Sequence, residues 1–379
     1  MTAPIRYGMI GGGRDAFIGG VHRMAARLDN SMTLVAGALS STPEKAIASG
    51  LDLGLDANRS YGTWQDMLAG EAKRPELDRM QCVVIVTPNN VHHAPALAAL
   101  EAGFHVVCDK PMTCTNDEAQ ELVDATHRTG RVFAVTYNYT GYPMVLQARD
   151  MVRSGAIGAI RKVFVEYLQG WLATPLEDDG QKQAHWRTDP TRAGVGGAMG
   201  DIGSHAENIM SFVTGLDVEQ CCSDATAIVA GRAIDDDTAV LLRFAGGARG
   251  VLSASQVCVG HRNGLTLRVY GETGSLSWRQ ECPGQLHVCT LEGHDTTLHR
   301  GDSGLCEAAV NATRLPGGHP EAFIEAFANI YRGAAAAMHA GRDDGAGFGY
   351  QTVADGARGV RFINAVIGAS GRGWTTLET

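Results

Sequence analysis

The chain has 379 residues, enough for two domains or one large one, and its 44% apolar and 19% charged residues provide a sizeable core and exclude disorder. A net charge of -9 without any Lys/Arg block excludes a non-specific nucleic-acid binder, because neutralising phosphates takes clustered cations. No apolar stretch approaches the roughly 18 residues of a membrane span, and the opening MTAPIRYGMI has no charged region ahead of a long apolar run, so the expectation is a soluble cytoplasmic protein.

Residues 5–10 (IRYGMI) predict a first strand, which runs into Gly11, Gly12 and Gly13. Residues 32–39 (MTLVAGAL), 82–86 (CVVIV), 105–108 (HVVC) and 132–135 (VFAV) predict further strands, with helix-like segments between them. One such helix, residues 115–128, opens with Thr115 and carries Glu118 three residues on, the pattern of a capping box. Short apolar strands alternating with helices predict a parallel sheet with crossover helices, here a dinucleotide-binding Rossmann domain over residues 1–137.

A strand, then glycines, then a helix lets backbone N–H groups and the positive helix end face a pyrophosphate with no side chain in the way. After Gly13 the next glycine is Gly19, three residues later than G-x-G-x-x-G expects, so Arg14, Asp15, Ala16, Phe17 and Ile18 form an enlarged loop. Alone, the glycines fit a plain tight turn; at the end of the first strand of a βαβ series they favour a cofactor. Gly11, Gly13, Arg14, Phe17 and Ile18 are the candidate contacts. The second strand runs into Ser40 and Ser41, with Ser40 where a carboxylate usually meets the adenosine ribose. Serine bonds a ribose hydroxyl but does not repel a 2′-phosphate, and no arginine adjoins it. NAD is the expected cofactor, and NADP stays open.

Beyond residue 137 the texture changes. Residues 238–244 and 250–257 flank Ala-Gly-Gly-Ala, and residues 265–270 and 275–278 flank Gly-Glu-Thr-Gly. Consecutive hairpins predict a second α/β domain, residues 138–379, with an open and mainly antiparallel sheet. Residues 320–339 predict a long helix with Pro320 in its first turn.

Three segments are more specific than the glycines: Val86-Thr87-Pro88-Asn89-Asn90-Val91-His92, Gly103 to Met112 with Asp109-Lys110-Pro111, and Gly200-Asp201-Ile202-Gly203-Ser204-His205. Together they resemble the Gfo/Idh/MocA oxidoreductases. The resemblance implies that Thr87, Pro88, Asn89, His92 and Asp109 line the cofactor cleft, that Lys110 is a catalytic lysine, and that Asp201 and His205 work on the substrate. Asp109 stands where the family usually has glutamate. Gly318-His319-Pro320-Glu321 resembles a segment of the inositol and sugar dehydrogenase branch, which makes His319 a candidate substrate contact. Tyr139 and Arg187 are candidate donors to a polyol, though a core tyrosine and a surface ion pair explain them as well. The relatives also imply a homotetramer paired through the open face of the second sheet.

Oxidising a secondary alcohol removes a hydroxyl proton and a hydride. An imidazole titrates near neutrality and suits the proton; a lysine ammonium suits the developing alkoxide. Taken alone, Asp201 fits a helix N-cap and His205 a core histidine, and Lys110 fits a surface position; it is their joint occurrence that points to chemistry. The expected function is an NAD(P)-dependent dehydrogenase of an inositol or monosaccharide. An NAD-dependent glycosidase and a non-catalytic sugar-sensing regulator of the same family are the alternatives. Asp235-Asp236-Asp237 reads as a structural turn. His92-His93, and His294 with His299, lack cysteines or acids at zinc spacing, so no metal is expected.

Overall fold

The computed structural model describes residues 3–377. It divides into two compact units, one built from the chain up to Asn138 together with Phe327–Ala357, the other from Tyr139–Ala326 together with the residues from Arg358 on.

The first unit alternates strands and helices: β1 (Ile5–Gly11), α1 (Phe17–Leu28), β2 (Met32–Ala38), α2 (Pro43–Asp52), α3 (Trp64–Ala72), β3 (Cys82–Val86), α4 (His93–Glu101), β4 (His105–Cys108), α5 (Asn116–Thr129) and β5 (Phe133–Val135). The five strands pair in parallel in the order β5-β4-β3-β1-β2. Every residue of β3 is buried, as expected for a strand covered by helices on both faces. The capping box expected at Thr115 and Glu118 is present. Because β2 and β3 flank β1 on opposite sides, the chain reverses direction across the sheet there, and a crevice for a ligand opens at the carboxyl ends of β1 and β3.

The sequence reading assigns all of 138–379 to the second domain. In the structure residues 327–357 pack with the first unit, and their two-residue strand Gln351–Thr352 joins β5 in antiparallel fashion. Nothing in local periodicity says which sheet so short and distant a strand will join.

His22 and His105 of this unit are held neutral. Burial pushes His22 on α1 below its ordinary value, against the opposing pull of Asp109. Burial, reinforced by Arg131, lowers His105 to about 4. The His105 Nδ1 accepts the Val132 N–H at 2.9 Å, a bond that protonation destroys. Both groups take up a proton more readily in the unfolded chain. Their stabilising contribution is therefore complete above about pH 6.5 and is lost as pH falls towards the folded values, about 4 for His105. Denaturant midpoints should fall steadily from pH 7 to pH 4.5, and His105→Gln should flatten that profile; an unchanged profile in the variant contradicts this account.

The second unit begins with α6 (Pro143–Arg153) and β6 (Ile160–Leu168), then two short helices, α7 (Lys182–Arg187) and α8 (Pro190–Ala193). Next come α9 (Ser204–Thr214) and seven strands, β7 (Val218–Thr226), β8 (Asp237–Phe244), β9 (Arg249–Ser255), β10 (Gly264–Gly271), β11 (Gly274–Arg279), β12 (Gln285–Thr290) and β13 (Asp295–His299). Their sheet runs β13-β12-β11-β10-β6-β9-β8-β7 and ends on the strand Thr375–Thr376. Only β6 and β9 are parallel. Both expected hairpins form, β8 with β9 and β10 with β11.

One sheet face packs against α6 and α9, where Met144, Val145, Ile209, Met210 and Val213 meet Val165, Leu267 and Trp278. Alternation along the strands leaves Phe164, Leu241 and Tyr270 on the opposite face. The helix expected from Pro320 starts instead at Phe323. The preceding Glu321 turns inward, where its Oε1 accepts from Arg300 at 2.9 Å and from the Arg314 N–H at 2.9 Å, and this keeps Pro320 and Glu321 in the loop. Among the described residues no helix is long and apolar enough to cross a membrane.

Candidate functional site

In the first unit the crevice is floored by glycine. Gly11 and Gly12 have φ of 79° and 72°, a region that side chains disfavour. Gly12 packs directly on Gly19, in the first turn of α1, so that a Cβ on Gly19 would lie 2.3 Å from the Gly12 Cα. Gly19 thus supplies the close helix–strand approach that the last glycine of the shorter motif normally provides. The Gly12 carbonyl also accepts from Arg23 at 2.6 Å.

The enlarged loop leans on α2. The Gly13 N–H donates to Leu39 O at 3.0 Å and the Arg14 N–H to Ser49 Oγ at 3.2 Å. The Arg14 guanidinium pairs with Asp52 at 2.5 Å, and Lys45 with Asp15 at 2.9 Å. Phe17 is 73% exposed, Ile18 is half-buried and Ser41 is exposed. Ser40 Oγ accepts the Thr42 N–H at 3.2 Å.

Across the crevice, the end of β3 brings Thr87 beside Gly11. Thr87 Oγ1 is buried without a hydrogen-bond partner among the described residues. Pro88 leads into a single turn, Asn89–Val91, in which Asn89 is buried. His92 is fully enclosed, with Nε2 2.8 Å from Thr87 O and Nδ1 2.9 Å from Pro111 O. It therefore braces the cleft through its backbone instead of presenting a ring nitrogen. Burial pushes its pKa down, while Asp109 and the two carbonyls pull it back.

Asp109 directly follows β4, and its Oδ1 accepts the Lys110 N–H and the Thr136 hydroxyl, each at 2.9 Å. Its Oδ2 lies 3.8 Å from His22 Nε2, and the other nitrogen of that ring meets Tyr331 OH at 2.7 Å. Asp109 is thus a clamp on the backbone that carries half-buried Lys110, followed by a cis bond to Pro111. A glycine cradle beside an orphaned threonine hydroxyl fits a dinucleotide phosphate, which needs close backbone N–H groups and a donor.

The second unit gathers a different set. Met199–Gly203 forms one π-type turn, with the Ser204 N–H reaching back five residues to Met199 O, and runs straight into α9. Such turns recur at functional sites. Buried Asp235 fixes the approach by accepting the Gly197 N–H at 2.6 Å, the Met199 N–H at 2.8 Å and the Thr238 hydroxyl at 2.8 Å. The turn expected at Asp235 is therefore structural, as a peg for the segment carrying Asp201. Asp201 is no N-cap. Its Oδ2 accepts from Arg187 Nε at 3.0 Å and from Gln256 Nε2 at 2.9 Å. Arg187 also bonds Gln183 Oε1 at 2.6 Å and stacks over Trp186 at 4.2 Å.

His205 is buried, its ring 4.7 Å from that of Tyr139 in an edge-on contact. The Tyr139 hydroxyl belongs to a closed ring of bonds. It meets Tyr167 OH at 2.6 Å, Tyr167 donates to Asn263 Oδ1 at 2.5 Å, and Asn263 Nδ2 returns to Tyr139 at 3.3 Å. Gln169 donates to the same Asn263 oxygen at 3.0 Å and accepts from Trp171 at 2.9 Å. His319 is exposed in a loop, with Nδ1 3.2 Å from Pro316 O. Sequence reasoning missed Gln256, Asn263, Tyr167 and Gln169. Their one signal is a polar side chain at a strand end, which has no fixed spacing from the motif.

Comparison with known proteins agrees with this anatomy. Residues 5–137 match the oxidoreductase family with an NAD-binding Rossmann fold, and residues 145–277 match the Gfo/Idh/MocA C-terminal domain. The oxidoreductase YfiI of Bacillus subtilis is 34% identical over 100% of this chain and 98% of its own length. The chain belongs to the Gfo/Idh/MocA oxidoreductase family. Its first unit is the family's NAD-binding fold, with the glycine cradle and Thr87 at the expected crevice.

An inositol dehydrogenase homolog from Azotobacter vinelandii, complexed with NAD+, superposes with a TM-score of 0.95 at 37% identity, covering 99% of this chain and 98% of that one. The same homolog with NADH and myo-inositol gives 0.92 at 35% identity, with coverage of 99% and 98%. Levoglucosan dehydrogenase of Pseudarthrobacter phenanthrenivorans is 29% identical over 75% of this chain and 76% of its own.

Proposed function

We propose that the protein is an NAD-dependent dehydrogenase that oxidises a secondary hydroxyl of a cyclic polyol or sugar, with an inositol or a monosaccharide as substrate. The observation that carries the reading is the Asp201 cluster, in which carboxylate, guanidinium, amide and imidazole donors and acceptors converge beside aromatic rings. Vicinal hydroxyls need that mixture of polar partners, and a sugar ring's C–H face needs an aromatic shelf. The relatives complexed with myo-inositol, or named for levoglucosan, support the same substrate class.

Bound NAD+ supplies the hydride acceptor at nicotinamide C4. Gly11, Gly12, Gly13 and Thr87 hold its diphosphate, and Ser40 meets the ribose. His205 takes the hydroxyl proton, with Tyr139 fixing the ring from its edge. Lys110, its backbone clamped by Asp109, stabilises the alkoxide as charge develops. Asp201 accepts a neighbouring substrate hydroxyl while Arg187 and Gln256 hold the carboxylate in place. Arg187 thus positions the acid, and His319 is a further candidate contact to the substrate. The open sheet face bearing Phe164, Leu241 and Tyr270 supports pairing of subunits into a homotetramer.

Inositols and D- and L-sugars, each assayed with NAD and with NADP, test the proposal. Reduction of NAD by a cyclic polyol or sugar is the expected outcome. Turnover of an aryl glycoside without net reduction, or no reaction with any compound and either nucleotide, defeats it in favour of a hydrolase or a sensor.

A further inference from the structure

We propose that His287, Cys289 and Asp295 form a site for a divalent transition-metal ion of the zinc class, on the edge hairpin of the second sheet. His287 and Cys289 are alternate residues of β12 and so project from one face. Asp295 opens β13 directly opposite Cys289. His287 Nε2 lies 3.3 Å from Cys289 Sγ and 3.3 Å from Asp295 Oδ1, and all three ligand atoms fall within 4.8 Å of one another. Tetrahedral zinc with bonds of about 2.0 Å to nitrogen and oxygen and about 2.3 Å to sulfur places its ligand atoms about 3.3–3.6 Å apart. The two distances from His287 Nε2 are already close to that spacing before any ion enters.

Thr297 Oγ1 lies 3.5 Å from His287 Nδ1, while the other ring nitrogen, Nε2, faces Cys289 and Asp295. A cation between the three atoms is within reach of all of them, with Thr297 beside Nδ1 as the outer partner of the imidazole. Binding deprotonates Cys289, and water takes the fourth position. Imidazole, thiolate and carboxylate together suit zinc or cobalt better than calcium or magnesium. The sequence reading set metals aside because His294 and His299 have no partners at zinc spacing. The ligands here are their neighbours, brought together by cross-strand register instead of by spacing along the chain.

The site has a clear physical role. β13 is the terminal strand of its sheet, and its residues are largely exposed, so little packing holds it. A shared ion fastens it to β12. The inference is independent of the dehydrogenase reading, and its test involves no turnover.

Full-length protein, stripped with chelator and kept reduced, is titrated with Co2+ and then with Zn2+. One Co2+ per chain should bind with a thiolate-to-cobalt charge-transfer band in the near ultraviolet, and Zn2+ should displace it. The band should vanish in Cys289→Ser and weaken in Asp295→Asn. His287→Gln serves as the second variant should Cys289→Ser fold poorly by circular dichroism. Absence of stoichiometric binding, or a band that persists in Cys289→Ser because another cysteine supplies it, overturns the proposal.

Discussion

Lys110→Met is expected to lower kcat by about 10²–10³-fold while NADH affinity stays within about threefold of the wild type. The substitution keeps most of the side-chain stem and removes only the ammonium. Asp109 fastens the Lys110 backbone from a carboxylate that also accepts from Thr136, so the loop itself has no reason to move. β4 pairs with β3 through Ile85 and Cys108, which sets Lys110 one strand away from Thr87 at the crevice. Losing a preorganised charge raises the barrier for alkoxide formation without disturbing the dinucleotide cradle. Steady-state kinetics with the best polyol, paired with a fluorescence titration of NADH, separates the two effects. A kcat within threefold of the wild type removes Lys110 from the chemistry.

Gly19→Ala should destabilise the first unit by about 1–3 kcal/mol and weaken NADH binding at least tenfold. The added methyl meets the Cα and carbonyl oxygen of Gly12, each at 2.3 Å, and neither is the end of a flexible side chain. Alanine's better helix propensity, about 1 kcal/mol, offsets part of the cost. Relief requires α1 to back away from β1, and that displaces the N–H groups that face the phosphate. Gly20→Ala is the control, because a Cβ there meets nothing closer than the Arg23 guanidinium at 4.0 Å. Equal NADH affinity in the two variants contradicts the role given to Gly19.

The contrast between these glycines marks what the sequence discloses. Strand-glycine-helix order, the capping box at Thr115, both hairpins and the motif around Asp201 and His205 are local patterns, and local patterns survive in one dimension. The enlarged loop was visible as a spacing anomaly, but its leaning on Ser49 and Asp52 of α2 was not. The sequence favours a core tyrosine over a ligand at Tyr139. Its phenol turns out to be committed to Tyr167 and Asn263 while its ring buttresses His205. The sequence likewise favours an ion pair over a polyol donor at Arg187, and the pair proves to be with Asp201 itself. Gln256 and Asn263 reach the cluster from strand ends far along the chain, and their contribution depends on register, which composition does not encode.

The π-type turn at Met199–Gly203 holds one residue more than a regular helical turn would need. Losing Ile202 or Gly203 should give an uninterrupted α-helix, yet it swings Asp201 by about 100° relative to His205. The carboxylate then turns its back on Arg187 and Gln256, although no polar side chain has been mutated. Among homologous chains, length in this stretch is consequently as informative about activity as the identity of the acid, and an alignment that closes the gap silently conceals the loss.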